Sequence, residues 1–221
     1  MWLTFFPSEP ACSLDEGFGA ISVLNEVQLS SEQGIPSNLE GAAELITYVH
    51  KGVLALAGPE DYSGVITAGE FQCMVIARIL LQSVTNTSRT DPAHFFRISL
   101  RLPSSRPGGD YVDAQTRFTV AQRRNILCTV ASPDARNHSL RIHADAHVYS
   151  SILDTGQHIV HELLHGRKAW LHLVHGEVSV NGHDLTLGDG MGITDEPSIS
   201  LTVHEDAELL LIDTVSDSNR G

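Results

Sequence analysis

The segment His-Glu-Leu-Leu-His-Gly at residues 161–166 has the His-Glu-x-x-His spacing of zinc metalloproteases. In that class the segment is helical, so that two imidazoles one turn apart bind zinc and the carboxylate beside them acts on a bound water. Here Gly156 and Gly166 bracket a stretch of only nine residues, and β-rich sequence lies on both sides. We therefore predict an extended strand over 157–165 rather than a helix.

In a strand, alternate side chains share a face, which separates the groups that a zinc hydrolase needs together. His161 and His165 would share one face, and Glu162 would point to the other. This pattern is against a metalloprotease. A histidine pair on one face could still bind a metal together with His172 and His175 of the next strand. The alternative is that histidines on a half-exposed sheet have no ligand role.

Short apolar runs bounded by glycine, proline and aspartate recur along the whole chain and are typical of strands. Residues 94–102 alternate, and 177–187 contain Asn181-Gly182, a two-residue hairpin turn. The polar stretch 103–125 predicts a connector, with a helical turn near 118–124. The sequence therefore predicts an all-β chain of two packed barrels or sandwiches.

Composition excludes several classes of function. The chain has 221 residues, 42% of them hydrophobic, and a formal net charge of -13. A surface this acidic repels phosphate backbones, so we predict no direct binding of nucleic acid. There is no apolar run of about eighteen residues and no basic, apolar leader, so we predict neither a membrane span nor a secretory signal.

The cysteines indicate a reducing compartment. Cys12, Cys73 and Cys128 are odd in number and far apart, without zinc-knuckle or redox spacing. We predict reduced thiols in a cytoplasmic protein.

The order and spacing of seven sequence blocks resemble those of the pirin family of bicupins. The blocks are GFGAISVLNE (17–26), ELITYVHKG (44–52), GVITAGEFQCM (64–74), ASPD (131–134), GRKAWLHLVHGEVSVNG (166–182), LTLGDG (185–190) and AELLLIDTV (207–215). The resemblance implies two cupin (RmlC-like) β-barrels or jelly rolls in one chain. The expected division is an N-terminal barrel over 1–102, a connector over 103–125, a C-terminal barrel over 126–215 and a tail over 216–221.

The resemblance also implies a metal site in the first barrel, where pirins usually hold one iron through three histidines and a glutamate. Such a site leaves room for oxygen and a flavonol such as quercetin, and several members resemble quercetin 2,3-dioxygenases. In this sequence Asn38, Glu40 and Gln82 stand at the three histidine positions, and Val84 stands at the glutamate position. Glu44 matches the family's motif but is not one of the four ligands. We therefore predict that the family's site is dismantled and that no metal or other cofactor is bound.

Three hypotheses of function follow from this resemblance. The first is a metal-free binding protein for an unknown small molecule or protein partner, acting away from nucleic acid and membranes. The second is a metal-independent enzyme in the same pocket, with Glu40 as a general base and Glu44 as a neighbour. The third is a dioxygenase of quercetinase type with a non-standard metal site.

Overall fold

A computed structural model describes residues 2–3, 17–40, 43–58, 62–76, 79–103 and 113–215. Within these ranges the side chains at 2–3, 37–40, 79–81 and 113 are outside the description. Cys12 and the tail 216–221 lie outside the described residues. Among these residues, 21–117 form one compact unit, and 118–215 together with 18–20 form a second.

The first unit is built from two antiparallel sheets. A six-stranded sheet has the order β1-β2-β9-β4-β7-β10, and a four-stranded sheet has the order β3-β8-β5-β6. The strands are β1 (Trp2–Leu3), β2 (Ile21–Leu29), β3 (Gly34–Glu40), β4 (Ala43–Lys51), β5 (Val53–Ala57), β6 (Ser63–Thr67), β7 (Glu70–Ile76), β8 (Ile79–Asn86), β9 (Ala93–Arg101) and β10 (Asp113–Arg117).

The second unit contains an eight-stranded sheet. Its order is β12-β11-β13-β18-β15-β16, with β14 paired to β18 and β17 paired to β15. A single helical turn, α1 (Val120–Arg123), precedes the sheet. The strands are β11 (Cys128–Ser132), β12 (Leu140–Arg141), β13 (Ala146–Leu153), β14 (His158–Glu162), β15 (Arg167–Val180), β16 (His183–Thr186), β17 (Gly190–Ile193) and β18 (Ser198–Val215).

The all-β prediction is confirmed. Burial alternates along strands such as β5 and β14, whereas the central strands β4 and β9 are buried on both faces. The hairpin prediction is confirmed as well, because Val180 pairs with His183 around Asn181 and Gly182. Both turn residues have positive φ, 48° and 83°, which asparagine and glycine tolerate best. No helix in the described part of the chain is long and apolar enough to cross a membrane.

The connector over 103–125 divides between the two units. Residues 113–117 form β10, which pairs with β7 in the first unit. The helical turn predicted near 118–124 is present as α1, and it belongs to the second unit. The division between the units therefore lies at 117/118, inside the predicted connector.

The strand prediction for the His-Glu-x-x-His segment is confirmed over His158–Glu162, where β14 pairs antiparallel with β18. Along β14, burial alternates, with His161 partly buried and Glu162 exposed. The strand ends before His165, which is exposed in the following turn. The prediction that His165 lies on the strand beside His161 is therefore wrong, because the chain already turns toward Gly166.

Candidate functional site

Gln82 and Val84 are two residues apart on β8 and both are buried, with exposed fractions of 4% and 1%. Their spacing places both side chains on the same face of the strand. Val84 packs in an apolar cluster with Leu54, Leu56 and Phe95. Its isopropyl group has no lone pair to donate, so this position cannot supply a metal ligand.

The amide of Gln82 is bound by a buried cation. Arg97, on β9 of the other sheet, donates from Nη2 to Gln82 Oε1 at 2.8 Å. The Gln82 Nε2 lies 3.9 Å from Met74 Sδ, a weak contact. Burial lowers the pKa of Arg97 to about 10, with a smaller opposing effect from Tyr62. Since this pKa remains well above neutral, the guanidinium is charged at pH 7.

Further polar groups lie near this pair inside the N-terminal barrel. Gln72 on β7 is 1% exposed, and its Nε2 donates to the Tyr62 hydroxyl at 3.0 Å. Thr47 pairs with both Gln72 and Arg97 in the sheet, so the three residues share one face. The interior thus holds amide, phenol and guanidinium groups that can bind oxygen atoms of a small molecule.

The backbone ladder brings the other two predicted ligand positions next to β8. In the β3–β8 pair, Asn38 is opposite Leu81, and Ser37 is opposite Gln82. Asn38 therefore follows Ser37, the residue that pairs with Gln82, by one position. Glu40 is opposite Ile79 in the same ladder. The side chains of Asn38 and Glu40 lie outside the described part, so their convergence with Gln82 and Val84 stays a prediction.

Glu44 is fully buried on β4, with an exposed fraction of 0%. It alternates with Leu45, which packs against Met74 on the interior side. The position of Glu44 is therefore on the face of β4 opposite to that of Leu45.

The described positions do not fit the metal site that the resemblance implies. Val84 has no donor atom, and the Gln82 oxygen already accepts a hydrogen bond from a guanidinium. Across the described ranges, no group of three or more His, Cys, Asp or Glu is arranged to hold a metal ion. His172 is 1% exposed and alternates with Leu171 and Leu173 of the C-terminal core, away from the face that His161 lines.

Sequence reasoning did not single out Arg97, Gln72 or Tyr62. Gln72 and Tyr62 have no motif of their own, and Arg97 lies in the alternating segment 94–102, where a buried arginine looks like any outward-facing one. The one available signal was that Arg97 lies between two apolar residues, Phe96 and Ile98.

Comparison with known proteins identifies the family. The chain is 32% identical to quercetin 2,3-dioxygenase of Escherichia coli strain K12 over 89% of this chain and 83% of the relative. It is 30% identical to a pirin-like protein of Caulobacter vibrioides over 89% and 84%. This chain belongs to the pirin family. A family model described as the quercetinase C-terminal cupin domain also matches residues 129–214.

Solved pirin structures have the same fold. YhhW from Escherichia coli superposes with a TM-score of 0.87 at 30% identity, over 97% of this chain and 90% of YhhW. The prediction of an all-β bicupin is therefore confirmed. The structure of bacterial pirin YhhW in complex with nickel(II) superposes with a TM-score of 0.86 at 30% identity, over 97% and 91%.

These relatives correct one prediction. We predicted no metal or other cofactor, and that prediction is wrong, because a pirin 30% identical to this chain is solved with nickel(II) and other relatives are named dioxygenases. The physical reason is that substitution of ligands at four positions does not exclude a metal held by other groups. Carboxylate, amide and carbonyl oxygens all bind divalent ions in proteins.

Proposed function

We propose that this protein is a pirin-family bicupin that binds a small molecule inside its N-terminal barrel without the family's standard set of metal ligands. One observation carries the proposal: at a position where the resemblance implies a histidine ligand, Gln82 accepts a hydrogen bond from buried Arg97. Val84, at a second ligand position, belongs to the apolar core.

Electrostatics support this interpretation of Gln82. A unit charge and a divalent ion about 4 Å apart repel by about 8 kcal/mol at an effective dielectric constant of about 20. An ion held through Gln82 would therefore compete with the guanidinium that already binds this amide. The same guanidinium, with the amide of Gln72 and the phenol of Tyr62, favours oxygen-rich small molecules.

We also propose a cytoplasmic location and a partner other than nucleic acid. The support is the formal net charge of -13 and the free thiol of Cys128. We propose a protein partner as the alternative to the small molecule. Such a partner would bind through surface contacts.

A second candidate function is quercetin 2,3-dioxygenase activity with a metal held by other residues. The 32% identity to the Escherichia coli enzyme over 89% of this chain favours it. A metal-independent variant of this hypothesis uses Glu40 as a base, and it depends on a side chain outside the described part of the structure.

Quercetin separates the two functions. Binding is measured by quenching of protein fluorescence, and cleavage by loss of quercetin absorbance, with nickel(II) or iron(II) supplied and the Escherichia coli enzyme as the positive control. We expect quercetin to bind. We expect its absorbance to fall no faster than in the protein-free control. Cleavage at a rate near that of the positive control would establish the second function, and absence of both binding and cleavage would count against both.

The binding site is tested with Gln72→Leu, which removes a buried amide while keeping a similar volume. We expect weaker quercetin binding in this variant. The matched control is Gln28→Leu, at an exposed position on β2, which should bind like the wild type.

A further inference from the structure

Strand β14 lies at an edge of the sheet in the second unit. Among the described residues it pairs with β18 and with no other strand. In this part of the sheet the strand order is β14-β18-β15-β16. An edge strand presents N–H and C=O groups that do not take part in its own sheet, and a strand of another chain can pair with them.

The hydrogen bonds at the two ends of β14 show which backbone groups point outward. Gln157 O accepts from Val203 N, and Leu163 N donates to Pro197 O, both at 2.9 Å. In an antiparallel ladder, hydrogen-bonded residues recur at every second position, so the odd-numbered residues of β14 bond to β18. The N–H and C=O groups of the even-numbered residues therefore point away from β18, toward the edge.

The residues that point outward are His158, Val160 and Glu162, and the side chains of all three are exposed. Their backbone groups have no hydrogen-bond partner in the part of the chain that the structure describes. Val160 is 57% exposed, so a large apolar side chain lies between the two polar ones. The Glu162 carboxylate makes no ion pair within the same described ranges.

The His158 imidazole has one ring nitrogen available at this edge. Its Nδ1 lies 3.1 Å from Thr202 Oγ1 on β18. When the threonine hydroxyl donates to Nδ1, a neutral ring carries its proton on Nε2. His158 can then donate from Nε2 to an acceptor that lies beyond the edge of the sheet, and a carboxylate is the strongest acceptor among protein side chains.

The sequence of β14 is complementary to itself about Val160. If a second copy of the strand runs antiparallel about a two-fold axis at this residue, Val160 is opposite Val160 of the second copy. His158 is then opposite Glu162 of the second copy, and Glu162 is opposite its His158. Each facing pair exchanges two backbone hydrogen bonds, because the groups of all three residues point outward. Apolar side chains face each other, and each imidazole faces a carboxylate.

Other registers lack this complementarity. A two-fold axis at Ile159 or His161 places Val160 opposite a polar side chain, which is His158 in the first case and Glu162 in the second. An axis at Glu162 places that carboxylate opposite its own copy. Like charges directly opposite each other across a strand pair are destabilising. The exposed side chains therefore favour one register, the one centred on Val160.

We propose that two copies of this chain associate through β14 about a two-fold axis at Val160. The contact is isologous, since each copy presents the same strand. The sheet then continues from β16, β15, β18 and β14 of one copy into β14, β18, β15 and β16 of the second copy. The strand is short and each copy has a formal net charge of -13, so the expected Kd is about 0.1–1 mM. This dimer does not depend on the function proposed for the N-terminal barrel.

Sedimentation equilibrium of the whole chain tests the association. The buffer contains about 0.15 M NaCl, which screens the repulsion between distant charges of the two acidic copies. Between about 10 μM and 2 mM protein, we expect the average mass to rise from that of one chain toward that of two. A mass that stays at one chain over the whole range overturns the proposal.

Two substitutions at the centre of the strand test the backbone pairing. Val160→Pro removes an N–H that points away from β18, and proline is tolerated in edge strands at such positions. We expect this variant to keep the circular dichroism spectrum and Tm of the wild type and to associate at least tenfold more weakly. Val160→Thr is the matched control, since it keeps the N–H and the side-chain shape, and it should associate within about twofold of the wild type. Unchanged association of Val160→Pro overturns the proposal.

A charge exchange tests the register independently of proline. Glu162→Lys places an ammonium opposite the imidazole of His158 and should weaken association at least fivefold. The chain is then less acidic, which by itself favours association, so weakening points to the local pair. The double variant His158→Glu with Glu162→Lys restores an opposite pair on both sides of the axis and should associate at least as tightly as the wild type. Association of the double variant no tighter than that of Glu162→Lys overturns the proposal.

Discussion

Arg97 Nη2 donates to Gln82 Oε1 at 2.8 Å, and this bond joins the two facing sheets of the N-terminal barrel. Arg97 is 6% exposed and Gln82 is 4% exposed, so the pair is screened from solvent. In the pattern that the chain resembles, position 82 is a histidine that binds iron. Here a fixed internal cation contacts that position, which changes both the stability and the ligand chemistry expected of the barrel.

The first prediction concerns the packing and charge of Arg97. Arg97→Ala should lower the free energy of unfolding by about 2–4 kcal/mol, because it leaves a cavity and an unbound amide at Gln82. Arg97→Met keeps most of the volume and should lower it by less than about 2 kcal/mol, since apolar replacement of a buried charge is often tolerated. Urea unfolding followed by circular dichroism measures both.

The control for Arg97 is Arg89→Ala, whose side chain is 89% exposed. It should change stability by no more than about 0.5 kcal/mol. If Arg97→Ala is no more destabilising than Arg89→Ala, Arg97 does not hold the two sheets together.

The second prediction concerns restoration of the family's ligands. The quadruple change Asn38→His, Glu40→His, Gln82→His and Val84→Glu supplies three imidazoles and a carboxylate, which suit nickel(II) or iron(II). In an Arg97→Met background this variant should bind one equivalent more nickel(II) than the wild type, measured by calorimetry. The ion should also raise its Tm, because it binds only the folded state.

The matched control retains Arg97 with the same four substitutions. Its additional nickel(II) site should be at least tenfold weaker, because the guanidinium repels the ion. Equal affinities in the two backgrounds would show that Arg97 does not oppose a metal here. If neither background gains a site over the wild type, the assignment of these four positions is incorrect.

Much of the fold could be predicted from the sequence because strand and turn signals are local. The bracketing Gly156 and Gly166, with β-rich sequence on both sides, identified β14 despite its metalloprotease-like motif, and Asn181-Gly182 identified the hairpin. The contact between Arg97 and Gln82 could not be predicted, because it joins two different sheets and depends on their register. The prediction of no cofactor was wrong for a related reason: four positions were judged without the rest of the barrel and its relatives.

The third prediction concerns the pH dependence that Asp213 contributes. Burial alone raises the pKa of this carboxyl, but hydrogen bonds from His161 and Arg167 and the charge of Arg167 outweigh it, so the pKa is lowered. A lowered pKa in the folded state gives stability that is present above the unfolded value, near pH 4, and lost as the pH falls through the folded value. Asp213→Asn should therefore cost about 3 kcal/mol at pH 7 and progressively less below about pH 4.

Thermal unfolding of Asp213→Asn and wild type between pH 7 and pH 3 checks this dependence. Glu162→Gln, at an exposed position on β14, serves as the control and should track the wild type across the range. A cost of Asp213→Asn that stays constant down to pH 3 would contradict the ion-pair origin of the effect.

The last prediction separates the two histidines of the His-Glu-x-x-His segment. His161 contacts Asp213 and the Tyr149 ring, whereas His165 is exposed in the turn after β14. His161→Gln should lower the free energy of unfolding by about 1–3 kcal/mol, because it leaves a buried carboxylate with one partner fewer. His165→Gln should change it by less than about 0.5 kcal/mol. Both values are measured by urea unfolding with and without a chelator. A metal site shared by the two imidazoles would instead make both substitutions costly, and the chelator would remove the cost of each.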